Sequence, residues 1–252
     1  MNPLRSNGIL IAIVLIVVGS SIHLNFNPIS VLQDIGNSGV IIAELMAVDF
    51  SVSDRVVQSI IETLEMALVG SSIGFAISIP AALMASKNIA PFYLSAAIRG
   101  VLNVFWSIPP LLWAIMLVAV AGLGPTAGIM AITLFTIGLS GKYLYEIFES
   151  QNPSAYDLIK VVGAGRLQMI KYVTIPESLP FMSNQYLFVL SYNVRESAIL
   201  GLVGAGGIGF YLTFYLESLQ YSKVTLFILA IVAVALAMDY LSTRMRNRLL
   251  HH

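Results

Sequence analysis

The chain has 252 residues, 58% hydrophobic and 10% charged, with 13 basic residues balancing 13 acidic ones and no cysteine. Such a composition excludes an ordinary soluble domain, and a formal net charge of zero leaves no electrostatic footprint for nucleic acid. Without cysteine there is no disulfide framework, no thiolate nucleophile and no cysteine metal site; His23 stands alone and His251 and His252 are the last two residues, so no metal site is expected.

In chain order, the first apolar run covers residues 8–22 and follows Arg5. It is short against the roughly 20 residues that a bilayer demands. It reads as a retained first helix lengthened by Leu4 and Leu24; the alternative is a signal peptide with Gly19-Ser20-Ser21 as its small-residue cleavage region. Residues 24–54 hold Asp34, Glu44, Asp49 and Asp54 and no lysine or arginine before Arg55, a bias that fits the outer face, with an interfacial helix expected within 31–46. A second span is expected over 56–85. Glu62 and Glu65 sit in its first turns, and Ser71, Ser72, Gly74, Ala76 and Ser78 make a small-residue face that lets helices approach closely. A third span, 93–120, carries Arg99 near its start and is expected to break or kink at Pro109-Pro110. After a glycine turn at 122–124, a fourth span covers 125–148 and ends among Lys142, Glu146 and Glu149.

The stretch from 152 to 180 is too polar for lipid. It carries Asp157, Lys160, Arg166, Lys171 and Glu177 along two short amphipathic segments. Asn152 suits a helix cap and Pro153 the first helical position, where a missing N–H costs nothing. Ala155, Leu158, Ile159 and Val162 recur at helical spacing, and Gly163-Ala164-Gly165 ends that helix. A second short helix, about 166–172, runs up to Pro176 and Pro180. Such a stretch faces water or another protein.

The fifth span, 181–200, is the most polar. Asn184, Ser191 and Arg195 share one stripe, and Gln185, Tyr192 and Glu196 the next. Ionisable groups at membrane depth are costly and face a bundle interior or a water-filled path; the alternative for Arg195 and Glu196 is an outer helix end from which they snorkel to water. Asn184 and Gln185 lie close to the cytoplasmic border. Residues 201–209 read GLVGAGGIG and contain G-x-G-x-x-G at Gly204, Gly206 and Gly209. A dinucleotide site needs a flanking βαβ unit, which membrane helices do not provide, so a glycine hinge or close-packed turn is the better reading. The last span covers 224–241, and Arg244, Arg246 and Arg248 follow. Six spans with the amino terminus inside put most lysines and arginines on the cytoplasmic side and leave Arg55, Arg195 and Lys223 outside. The 152–180 stretch is thereby cytoplasmic.

That stretch resembles the EAA loop of ABC-importer permeases: an acid followed by two small or apolar residues, a glycine six positions after the acid, and an aliphatic-x-aliphatic-proline ending. Here these are Asp157-Leu158-Ile159, Gly163 and Val173-Thr174-Ile175-Pro176, with Asp-Leu-Ile in place of Glu-Ala-Ala. Residues 62–70 and, more narrowly, the tail 193–209 resemble the phosphonate and phosphite group of that family. The resemblance covers about residues 54–250.

It implies an all-α polytopic membrane protein of about six transmembrane helices, with a type I ABC-importer permease-like core. Residues 1–53 would be an amino-terminal helix and outer segment, and 54–250 the core with a coupling loop at 152–178. The implied activity is the permease step of ATP-driven import of phosphonate, phosphite or a related phosphorus oxyanion across the bacterial inner membrane, with both termini cytoplasmic. Asp157, Leu158, Ile159, Gly163, Val173, Ile175 and Pro176 would meet the ATPase. The chain has no G-x-x-x-x-G-K-[ST] phosphate loop, so it is not expected to be an enzyme. It would hold no cofactor, and ATP and magnesium would sit on partner subunits. The implied partners are a second copy of the permease, two ATPase chains and a periplasmic binding protein. An oxyanion in a low-dielectric passage needs donors or positive charge, and Tyr192, Asn193, Arg195 and Glu196 are the path candidates. Gly204, Gly206, Gly207 and Gly209 are the hinge or gate candidates. The alternatives are an ABC importer of another small solute such as an amino acid, a secondary transporter driven by an ion gradient, and a membrane scaffold.

Overall fold

The computed structural model describes residues 3–24, 26–27, 36, 38–151, 163 and 165–250, and among them the regular structure is helical. The chain divides into two units between Ala47 and Val48. The first contains α1 (Pro3–His23) and α2 (Gly39–Met46); the helix expected within 31–46 is thus present in its second half.

The second unit opens with a 3₁₀ turn, Phe50–Val52, capped by the Asp49 carboxylate, which accepts the Ser51 N–H at 2.8 Å. That hydrogen bond holds the Asp49 carboxyl below its ordinary value. The unit continues with α3 (Ser53–Ala85), α4 (Phe92–Ser107), α5 (Pro110–Ala121), α6 (Pro125–Ser150), α7 (Arg166–Met169), a π-helical segment (Ile170–Thr174), α8 (Ile175–Leu200), a 3₁₀ turn (Gly201–Val203), α9 (Gly207–Glu217) and α10 (Tyr221–Leu250). Among the described residues, four helical stretches are long and apolar enough to cross a membrane, the α4–α5 pair makes a fifth when taken as one broken span, and Leu10–His23 is a shorter apolar helix. This agrees with the roughly six expected from the apolar runs.

The third expected span is the one that departs from a simple kink. α4 and α5 meet at 88°. Ile108 and Pro109 are both extended, with ψ of 117° and 145°, as the steric demand of a following proline requires. Pro110 then starts α5 at a position that needs no N–H. The pair still carries the chain from one end of the bundle to the other. At the end near the 152–162 stretch, here the loop end, Ser95 Oγ and Arg99 Nε both donate to the Ala85 carbonyl, the latter at 2.9 Å. At the opposite, glycine end, Gly124 N–H donates to the Gly204 carbonyl at 2.9 Å.

α3 and α6 form the centre of the bundle. A Cβ on Gly74 would lie 2.6 Å from Thr136 Cβ and 2.8 Å from the Thr133 carbonyl, so only glycine permits this approach. Ser71, Gly74 and Ser78 are buried on this face, Ser72 is half-buried, and Ala76 points outward, which corrects its placement on the small-residue face. Met66, Ala131, Ile132, Leu200 and Ala205 pack toward the glycine end; Ala82, Leu102, Leu144, Phe148 and Met182 pack at the loop end.

A second correction concerns residues 166–200. No break separates a short loop helix from the fifth span: α7, the π segment and α8 run on continuously. Ile175 N–H donates to the Ile170 carbonyl, an i to i−5 bond that widens the turn just before Pro176. Pro176 sits in the first turn of α8, and Pro180 is accommodated inside it.

Candidate functional site

At the loop end, Asp157, Leu158 and Ile159 lie outside the described residues. Gly163 has φ of +81° and nothing within 4 Å of a would-be Cβ. Its left-handed turn, and not crowding, is what calls for glycine there. Val173 is buried in the π segment, Ile175 is half-buried and Pro176 is exposed. The end of α6 is held from two sides. Gln151 Nε2 donates to the Thr174 carbonyl at 2.8 Å and to Ser178 Oγ, tying α6 to the π segment and α8. Glu149 pairs with Arg99 and accepts the Lys87 N–H at 2.6 Å, while Asn88 Nδ2 donates to the Phe148 carbonyl at 2.9 Å. The Arg99 guanidinium also lies 4.2 Å over the Tyr145 ring. A hollow of about 510 Å³ opens beside this junction, with Glu146, Gln151, Glu177 and Phe181 in its wall.

Along α8, the path candidates point different ways. Asn193 is fully buried, and its Nδ2 donates to Ser71 Oγ on α3 at 2.8 Å and Thr136 Oγ1 on α6 at 2.9 Å. In this conformation it joins three helices. Gln185 is likewise buried. Tyr192 stacks between Phe135 (5.8 Å, 24°) and Phe188 (6.4 Å, 25°), and half-buried Glu196 lies one turn further along.

Arg195 does not sit at an outer rim. It forms an ion pair with Asp239, whose other oxygen accepts Ser191 Oγ–H at 2.6 Å. On α10, Asp239 comes 18 residues after Tyr221, about 27 Å at 1.5 Å per residue. It stands within the apolar run, five residues before Arg244. The neighbouring Ser242 Oγ donates to the Leu187 carbonyl at 3.0 Å, which fixes the register of α10 on α8.

At the glycine end, Gly204, Gly206 and Gly207 have φ of +86°, +84° and +71°. They form a left-handed turn that leads from α8 into α9 and lines a cleft of about 240 Å³ with Glu62 and Pro125. Gly209 is different. It lies inside α9, where a Cβ would come 1.9 Å from the Ala198 carbonyl oxygen. Thr63 Oγ1 accepts the Ile208 N–H at 2.8 Å and so ties the start of α9 to α3.

Residues 77–251 match the family of binding-protein-dependent transport system inner membrane components. The chain belongs to that family. This permease is 31% identical over 219 residues to the phosphite transport system permease protein PtxC of Stutzerimonas stutzeri, covering 86% of this chain and 80% of the relative. It is 29% identical over 256 residues to the phosphate-import permease protein PhnE of Mycolicibacterium smegmatis, covering 98% of this chain and 48% of that one. Its fold is similar to a solved structure of the inward-facing MetNI methionine ABC transporter, with a TM-score of 0.67 at 22% identity over 77% of this chain and 95% of the other. The permease is accordingly a multi-pass membrane subunit of an ABC importer.

Several residues at the permease's site escaped the sequence reading. Asp239 is the only charged residue between Val224 and Ser242, a signal that its position near the end of the apolar run obscured. Ser71 and Thr136 gave no sign that they would meet Asn193, because their pairing is tertiary. Gln151 stood one residue before the polar stretch and carried no motif.

Proposed function

We propose that this permease imports a phosphorus oxyanion, phosphite or phosphonate or a close relative, as one of two copies served by two separate ATPase chains and a binding protein. The observation that carries the substrate is a guanidinium within the span, Arg195, beside a hydroxyl, Ser191. Cation and donor together are what a tetrahedral oxyanion needs in a low-dielectric passage. The names of the relatives point the same way.

In this reading the 152–178 loop faces the cytoplasm and docks on the ATPase, where ATP and magnesium reside. Two features at the loop end support it. The hollow beside Gln151 and Glu177 is open, and Gln151 links both helices that leave the loop, so a force on the loop reaches α6 and α8 together. At the glycine end, the left-handed turn of Gly204, Gly206 and Gly207 would serve as the outer gate, opening the cleft to a binding protein.

The test is uptake by proteoliposomes holding the permease, its ATPase and its binding protein, with labelled phosphite, methylphosphonate, phosphate and methionine in turn. ATP-dependent uptake of a phosphorus oxyanion is the expected result. Uptake of methionine alone would favour a second reading, amino-acid import, which the likeness in fold to the methionine transporter supports. Uptake that follows an ion gradient without ATP would refute both.

A further inference from the structure

A carboxylate on α10 is held by two donors on α8. Ser191 and Arg195 are one helical turn apart on α8, and both reach the same partner: Ser191 Oγ holds one oxygen of Asp239 at 2.6 Å and Arg195 Nη1 holds the other. A guanidinium and a hydroxyl gripping two oxygens of one anion is the donor set of an oxyanion site. Here the anion is the protein's own.

The exposure of the pair matters to what it can do. The side chains of Arg195 and Asp239 are 42% and 46% exposed. A pair facing hydrocarbon over that much of its surface would be costly for each charge. Half-open and inside the apolar run, the pair fits a face that water and a polar solute reach.

We propose that Ser191 and Arg195 form an oxyanion seat, which Asp239 fills when no substrate is present and yields as the substrate passes. The inference rests on the oxyanion reading above. It makes Asp239 the residue that sets how weakly the seat binds. Conduction requires binding loose enough for release, and a tethered competitor supplies that looseness without weakening the donors themselves. When Asp239 returns to Arg195 the substrate is displaced, and no unpaired guanidinium is left at depth.

The two charges therefore have opposite effects on binding, which an ordinary ion pair does not predict. A seat filled by Asp239 nine-tenths of the time lowers apparent affinity about tenfold. Asp239→Asn should tighten phosphite binding by about that factor and slow its release, whereas Arg195→Gln should abolish binding. The measurement is calorimetric titration of inorganic phosphite into the assembled permease–ATPase complex in nanodiscs, with ATP-dependent phosphite uptake measured in parallel. The double variant Arg195→Gln/Asp239→Asn leaves no orphan charge and serves as the folding control. It should assemble and melt close to wild type yet bind no phosphite. If Asp239→Asn and Arg195→Gln weaken binding alike and the double variant restores it, the pair is structural and the proposal fails while the oxyanion reading stands. If wild type binds and transports methionine but no phosphorus oxyanion, both fall.

Discussion

Gly209→Ala tests how α9 is docked. The added methyl carbon would lie 1.9 Å from the Ala198 carbonyl oxygen and 3.0 Å from Gly201 Cα. Both are backbone atoms, so no rotamer change relieves the clash. The contact must open from 1.9 Å to at least 3.0 Å, a movement of about 1.1 Å between the end of α8 and α9. A gap of 0.5–1 Å forfeits about a quarter to a half of the dispersion energy across a packed face. Overpacking of this kind costs about 3 kcal/mol, the upper part of the usual range. For a chain of this length that corresponds to about 6–12 °C in melting temperature by soluble-protein scaling. Gly100→Ala is the control: a helical position in α4 with nothing within 4 Å of the new carbon, where alanine should stabilise by about 0.5–1 kcal/mol. Thermal unfolding of the purified complex, followed by intrinsic fluorescence, reads both. A Gly209→Ala variant that melts with wild type would mean that the close docking of α9 on α8 is wrong.

Other substitutions probe the remaining contacts. Asn193→Ala removes two interhelical hydrogen bonds worth about 0.6 kcal/mol each in membranes; thermal melting should fall modestly and uptake should persist if its role is the junction, whereas lost uptake at an unchanged melting temperature would place Asn193 in the path. Glu149→Gln orphans Arg99 in a pair only 26% and 19% exposed, and should cost about 3 kcal/mol, with part recovered when Arg99→Gln is added. Gly163→Asp forces a side chain into a left-handed turn that has open space around it, so strain should stay at about 1–2 kcal/mol. The complex should assemble and hydrolyse ATP while uptake falls; undiminished ATP-driven uptake would remove the coupling role from this turn.

What could be read in the sequence was local. Apolar runs gave the helices, Pro109-Pro110 marked the place of the bend, and the glycines of 204–209 announced a hinge or close-packed turn. What escaped depended on partners distant in the chain. Pro109-Pro110 does not state an angle, because 88° depends on where α3 and α6 leave room. Arg195 seemed free to be at a rim because its partner lies 44 residues away on α10. The helix junction at Asn193 was hidden for the same reason: an amide in a span is equally at home in a path or a junction, and its partners Ser71 and Thr136 are distant in the chain. The prolines at 176 and 180 suggested an interruption. A helix that widens by one residue ahead of Pro176 avoids it.

That widened turn has a mechanical consequence. Each π turn holds one residue more than an α turn, and one residue of α-helix is about 100° of rotation and 1.5 Å of rise. If the extra residue migrates along the helix, everything on its far side screws round by that amount while the ladder of hydrogen bonds is handed on bond by bond. Ile175 supplies the last N–H before Pro176, which has none to give. A dislocation that stays ahead of Pro176 would turn the short α7 stub while the part of α8 beyond the proline keeps its register.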